Sequence, residues 1–267
     1  MNAYLELHKS QWSLKPFGPT LDQVVQKSEK KSEFYSDFIE FYIKSWDREK
    51  YNVYQKGYER YYNMRHFGNH VMCSFLVRSI SPLAVGHGGV SILETNLSLH
   101  PIYGIPYIPA SALKGLAARY ASHTLSLHTS ALGKTEYDYQ VLFGTEGCAG
   151  YVHFHDAWIT PSTAANSLKQ DVLTPHHQLY NQISVDLYND TQDYPAPSDM
   201  DSPIPIPFLI AKGEFTIALS FEGNEAEATP WLNLAKDILV EALHYEGIGA
   251  KTNAGYGVFV EINGEQT

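Results

Sequence analysis

Residues 247–257 read Gly247-Ile248-Gly249-Ala250-Lys251-Thr252-Asn253-Ala254-Gly255-Tyr256-Gly257, and what flanks this stretch decides the fold. On its N-terminal side Thr229-Pro230 predicts a helix start, and Ala235, Ile238, Leu239, Ala242 and Leu243 recur at helical spacing until Gly247 ends the run. On its C-terminal side Tyr256 to Ile262 predicts a strand. The order is helix to strand, so Ala250-Lys251-Thr252 is not the end of a P-loop, which has glycine directly before the lysine and runs from strand to helix. Four glycines within these eleven residues predict a link whose backbone N–H groups turn outward and approach an anion closely. The plain alternative is a glycine-rich turn that only terminates the helix.

Working outward, Glu214 to Phe221 alternates as a strand, and Gly150 to Trp158 reads as another. Ile105 to Pro109 (IPYIP) resists helix, after which Ser111 predicts a helix cap with Leu113, Leu116, Ala117 and Tyr120 on the apolar face. Val71 to Ile80 (VMCSFLVRSI) is apolar and branched enough for a central strand. The core order is therefore strand, helix, strand, strand, helix, strand. That is the split βαβ arrangement of α+β, ferredoxin-like or RNA-recognition-like domains. Between its second and third strands lies Ile159 to Pro207, acidic, rich in proline and without periodicity, which reads as an inserted loop or arm.

The domain reading is thus a helical N-terminal extension over 1–70, a core domain over 71–262 with the arm at 159–207, and a tail at 263–267. In the extension, Thr20 and Gln23 form a capping-box pattern before Leu21, Val24, Val25, Tyr35, Phe38, Ile39, Tyr42 and Trp46. A second helix sets Tyr51, Tyr54, Tyr58, Tyr61 and Tyr62 on one stripe, for packing or for stacking with bases. The split βαβ topology adds an expectation: the helix start at Ser111 to Lys114, the arm and the glycine-rich link meet at one end of the sheet.

With 267 residues, 44% hydrophobic and 18% charged, the chain is long and apolar enough to bury a core, which excludes disorder as its main state. No run approaches the roughly 18 apolar residues of a membrane span, and Met1 to Phe17 lacks the apolar region of a secretory signal, so a cytoplasmic protein without a membrane partner is expected. Cys73 and Cys148 are far apart and outside any Cys/His ligand set, so neither a disulfide framework nor a structural zinc is indicated. The net charge of −10 is unevenly shared. Residues 1–134 carry 15 Lys and Arg against 10 Asp and Glu, and residues 135–267 carry 4 against 19. One surface tolerates anions, and the other repels them, meets basic neighbours or serves solubility.

Ser111, the N–H groups of the first helical turn and Lys114 make a phosphate seat, which the topology sets beside Gly249, Lys251, Thr252 and Asn253. Together they suggest a site that follows a phosphate backbone without a catalytic group of its own. His153 and His155 beside Asp156, and His176-His177 in the arm, lack a third ligand, so no metal or other cofactor is expected. His87, between glycines after the first strand, is the weak candidate for a general base toward an RNA 2′-hydroxyl.

Four phrases in order carry a family resemblance: YGIPYIPASALKG from Tyr103 to Gly115, LFGT from Leu142 to Thr145, SPIPIPF from Ser202 to Phe208, and the link from Gly247 to Gly257. The chain resembles the RAMP superfamily and, within it, the family of sixth subunits of the Cmr complexes of type III-B CRISPR systems, over roughly Val71 to Ile262. The resemblance implies a subunit of a multisubunit ribonucleoprotein that holds guide RNA toward its 3′ end and, through it, meets target RNA. It implies as neighbours the backbone filament subunit and another RAMP subunit. Guide contact carries over to Ser111, Lys114, Gly249, Lys251, Thr252 and Asn253. The related backbone subunits cut target RNA with an aspartate after the first strand. Between Ser81 and His100 this chain has only Glu94 as an acid, so no catalytic role is expected. The rival expectations are a metal-independent guide-processing endoribonuclease using His87 and a protein-only adaptor. Ala110 stands where family members often have glycine.

Overall fold

The computed structural model describes residues 2–8, 28–63, 70–89, 91, 93, 95–174, 198–201, 203 and 205–262. The Thr20 capping box, His176-His177 and Glu94 lie outside them. Among the described residues three helices precede the sheet: α1 (Ala3–His8), α2 (Ser28–Lys44) and α3 (Arg48–Asn63). β1 (His70–Ser79) follows, then a long excursion ending in the two-residue β2 (Tyr107–Ile108) and α4 (Ala110–His123). After α5 (Tyr137–Phe143) come β3 (Val152–Phe154), β4 (Ala157–Ile159), β5 (Leu168–Leu173), β6 (Ile206–Ala211), β7 (Glu214–Glu222), the long α6 (Glu225–Tyr245) and β8 (Phe259–Ile262).

The main sheet runs β2-β4-β7-β1-β8, with β3 also on β7, and every pairing is antiparallel. β1 is central, as its apolar run predicts, and pairs with β7 from His70↔Glu222 to Arg78↔Glu214. One sheet face presents Phe75, Val77, Phe215, Ile217, Leu219 and Phe259 to α4 and α6. α6 buries Ala235, Ile238, Leu239, Ala242 and Leu243, the positions its periodicity marks. The other face carries the buried Thr216 and Ser220, and α3 covers it.

The tyrosine stripe of α3 is a packing device. The Tyr54 hydroxyl donates to Ile159 O and that of Tyr61 to Asp156 O, while Tyr58 meets the Thr216 hydroxyl. The Tyr61 ring lies flat on Trp158, with centroids 4.2 Å apart. Tyr62 is inserted into the ladder itself. Its hydroxyl accepts from Trp158 N at 3.1 Å and donates to Thr216 O at 2.6 Å, although Trp158 and Thr216 are cross-strand partners.

Several local expectations are corrected. The strand read from Gly150 to Trp158 is two strands, because the register steps by one residue between Phe154↔Leu219 and Trp158↔Thr216. This bulge at His155 and Asp156 re-aims the Asp156 side chain. The α4 N-cap is Pro109, with no side-chain cap of its own, so Ser111 does not cap the helix. The Asp156 Oδ1 supplies the missing acceptor, taking the Ala110 N–H at 2.7 Å. α6 starts a turn earlier than Thr229-Pro230, capped by Asn224 Oδ1 accepting from Glu227 N at 3.0 Å. The Thr229 hydroxyl instead donates back to Glu225 O. Within the stretch read as an inserted loop or arm, Leu168–Leu173 forms β5, which pairs with β6 as an antiparallel ribbon from Leu168↔Ala211 to Leu173↔Ile206. Pro207 is accommodated within it opposite Val172. Buried residues of α2 and α3 share one apolar cluster with the sheet and with α4 and α6.

Candidate functional site

The glycine-rich link is built on the end of α6. Glu246 N and Gly247 N both donate to Ala242 O, at 3.0 and 3.1 Å, and Gly247 turns the chain at φ 73°. The segment leaving β1 then holds the link by its backbone. Gly257 N donates to Pro82 O at 2.7 Å and Ala250 N to Ala84 O at 2.8 Å. At Gly249, φ is 94° and a Cβ would stand 2.8 Å from Ala84 O, so this position requires glycine.

Lys251 has φ 64° and ψ 27°, the left-handed region, which costs an L-residue about 1–2 kcal/mol. Its carbonyl closes a short turn over Thr252–Ala254 by accepting from Ala254 N at 2.9 Å. The Lys251 ammonium stands 5.1 Å from the Phe208 ring centre, and the edge of the His87 ring meets the same Phe208 at 5.2 Å. His87 Nδ1 is buried and has no hydrogen-bond partner among the described residues. Burial, and then the Lys251 charge, hold its imidazole below the usual histidine range. Tyr256 completes the wall, donating to Asp171 Oδ2 at 2.6 Å, and burial together with that carboxylate pushes its hydroxyl up to about 12. The arrangement offers one cation on a fixed backbone, a neutral imidazole and two aromatic rings. Asn253 is exposed, Gly249 is exposed and Thr252 is partly so.

Three chain segments therefore converge: the stretch after β1 with His87, the β5–β6 ribbon with Asp171 and Phe208, and the link. The α4 start is not among them. α4 meets the beginning of the link by its other end, where the Thr124 hydroxyl donates to Glu246 Oε1 at 3.3 Å and Arg119 approaches the same carboxylate at 3.5 Å. Ser111 and Lys114 sit toward the opposite end, about 20 and 15 Å along the helix from Thr124. The cause is β2, which pairs with β4 at the far edge of the sheet and sends the chain back before α4 begins. The anion seat expected at that helix start also has a resident carboxylate, Asp156 on the Ala110 N–H.

His155 Nε2 lies 2.8 Å from the Ser220 hydroxyl, and His153 is exposed, its ring 6.4 Å from that of His70. Among the described residues no three His, Cys, Asp or Glu side chains gather as a metal site. Cys73 and Cys148 are thiols rather than disulfide partners, and no described helix is long and apolar enough to cross a membrane. Sequence reasoning missed Phe208, Tyr256 and Asp171 as members of the cluster. Phe208 ends the SPIPIPF phrase and Tyr256 lies inside the link, so both carried a signal; Asp171 carried none.

The RAMP superfamily model matches residues 77–260. The chain is 27% identical over 261 residues to the CRISPR system Cmr subunit Cmr6 of Pyrococcus furiosus, covering 79% of this chain and 74% of that protein. It is 28% identical over 172 residues to the Cmr6 subunit of Saccharolobus solfataricus, covering 64% of this chain and 50% of that one. A chain of the cryo-EM structure of the type III-B Cmr-beta complex bound to cognate target RNA shares the fold, with a TM-score of 0.62 at 21% identity, covering 88% of this chain and 73% of that chain. The family model runs from the end of β1, at Val77, through the cluster around Lys251 to the middle of β8, and this chain belongs to the RAMP superfamily, with Cmr6 subunits among its relatives.

Proposed function

We propose that this chain is a non-catalytic subunit of a type III-B CRISPR (Cmr) ribonucleoprotein, and that the link 247–257 holds guide RNA near its 3′ end. The observation that carries this reading is the Lys251 backbone. A lysine kept in the left-handed region between glycines, its ammonium over Phe208 and beside His87, is a strained and specific way to present one positive charge. The core domain is read as ferredoxin-like, with β8, β1, β7 and β3/β4 in the order of a split βαβ unit and α4 and α6 on one face. Its neighbours are the backbone filament subunit and another RAMP subunit, and target RNA is met through the guide. The acidic half keeps affinity of the isolated chain low, so assembly supplies the rest.

The test has two arms. Tagged protein recovered from its native cells is analysed for co-purified RNA and protein; guide-sized RNAs carrying CRISPR repeat sequence with other Cmr subunits support the reading, and recovery of the lone chain overturns it. In the assembled complex, crosslinking of guide RNA falls strongly with Lys251→Ala and weakly with Lys114→Ala. Equal loss in both variants refutes the site.

One observation favours a second reading, guide-processing endonuclease: a neutral His87 with an unpartnered ring nitrogen beside a cation is suited to take a proton from a 2′-hydroxyl. It requires metal-independent cleavage of a repeat hairpin that His87→Ala abolishes, and an intact hairpin with the wild-type chain disposes of it.

A further inference from the structure

Far from the link, at the corner between α2 and α3, one lysine is held unlike its neighbours. The Asp47 carboxylate accepts the Lys50 backbone N–H at 2.8 Å, which fixes Lys50 in the first turn of α3. Its side chain folds back over the end of α2. Nζ donates to the Ser45 hydroxyl at 3.1 Å and lies 4.3 Å from the Trp46 ring centre and 4.8 Å from that of Tyr42. The amine borders an open groove of about 290 Å³, shared with Asn2, Val53, Tyr54, Ile102 and Tyr103.

Among the described residues the ionisable groups around it are few. Asp47 comes from the residue before its own helix and Glu49 from that helix, Tyr42 from α2, Tyr54 from one turn further along α3, and Tyr103 from the loop before β2. Asp47 and the two ring faces favour the ammonium form. Burial opposes it and outweighs Asp47, and the positive end of the α3 dipole acts in the same sense as burial, so the amine is brought down to about 8. A desolvated amine that is partly neutral at physiological pH, and that faces an open groove rather than a closed core, is a nucleophile.

We propose that the Lys50 amine is an acyl-acceptor site, taking an acetyl group from an activated donor, a thioester or an acyl phosphate, without an enzyme. The neutral nitrogen attacks the acyl carbonyl carbon; the N–C bond forms and the bond from that carbon to sulfur or to phosphate oxygen breaks. The thiolate or phosphate leaves with the electron pair, and the ammonium proton passes to water. The product amide carries no charge, so Lys50 loses its interaction with the Tyr42 and Trp46 rings and the α2–α3 corner loosens.

The size of the effect follows from protonation. At pH 7.5 an amine titrating near 8 is neutral about two-hundredfold more often than an ordinary lysine. Lower basicity reduces its nucleophilicity by roughly fifteenfold if amines follow the dependence found for thiolates, which leaves an advantage of about tenfold. The full chain is treated separately with acetyl-CoA and with acetyl phosphate at pH 7.5, and the acetylation rate of each lysine-containing peptide is measured by mass spectrometry. Lys50 is expected to react about tenfold faster than the exposed Lys44 and Lys56, to lose that lead in 8 M urea, and to level off in rate above about pH 9. The donor that labels identifies the source. A Lys50 rate equal to or below those of Lys44 and Lys56 in the folded chain, or a lead that persists in urea, overturns the proposal.

Discussion

Replacing Tyr62 by Phe removes a single oxygen, and the structure says what that oxygen does. It stands between Trp158 N and Thr216 O, at 3.1 and 2.6 Å, where two cross-strand partners would otherwise share a ladder bond. Tyr62 is 7% exposed, Trp158 6% and Thr216 8%, so the hydroxyl and both its partners are buried. Tyr62→Phe leaves one buried N–H and one buried carbonyl without this partner, about 1–3 kcal/mol each. If β4 closes onto β7, a direct bond returns about 1 kcal/mol. With that bond returned the expected net loss is about 1–5 kcal/mol, read from urea unfolding followed by tryptophan fluorescence. Tyr61→Phe is the internal comparison, because its hydroxyl donates a half-buried bond to Asp156 O at 3.1 Å, whose removal costs about 1 kcal/mol. The consequence extends beyond stability: β4 continues from the bulge that aims Asp156 at α4, so hydrogen exchange of the Ala110 amide accelerates in Tyr62→Phe. A Tyr62→Phe chain within about 0.5 kcal/mol of the parent, or one less affected than Tyr61→Phe, refutes the inserted-hydroxyl reasoning.

Gly249→Ala combines a φ of 94° with a Cβ that would lie 2.8 Å from Ala84 O, so it lowers stability by about 1–3 kcal/mol and displaces the link from the segment after β1. Thermal unfolding checks the first effect, and protection of the Ala250 amide, which donates to Ala84 O, checks the second. His87 makes the link sensitive to pH. Its folded imidazole binds a proton less readily than in the unfolded chain, chiefly through burial and then through Lys251. The unfolded state therefore gains the proton first, and stability falls as pH drops through the ordinary histidine value of about 6.5. His87→Gln flattens that part of the urea-midpoint profile; an unchanged profile rejects the assignment. A phosphate bound at Lys251 reverses the sign for binding, because it favours the imidazolium, so RNA affinity of the assembled complex rises from pH 8 to pH 6 in the parent and not in His87→Gln.

The features legible in the sequence are those whose cause is local. β1 is central because its own residues are apolar and branched, and α6 buries the face its own period marks. The α4 start failed for the opposite reason. Its acceptor comes from Asp156, 46 residues on, through a bulge that no spacing announces. Pro207 misled in the same way: proline density argues for a loop, yet a ribbon strand takes a proline where its N–H is not needed. The candidate site divides along this line. Four glycines state locally that the link must turn, and the link does turn, at positive φ, at Gly247, Gly249, Gly255 and Gly257. The seat at Ser111 and Lys114 depended on the height at which α4 begins, and a two-residue strand, too short to have a pattern, moved that start to the β2 edge. Lys251 is left with partners from the β5–β6 ribbon and from the turn after β1, so a neighbour that pulls on the ribbon moves Phe208 and Asp171 and with them the only cation in the cluster formed by Lys251, His87, Phe208, Tyr256 and Asp171.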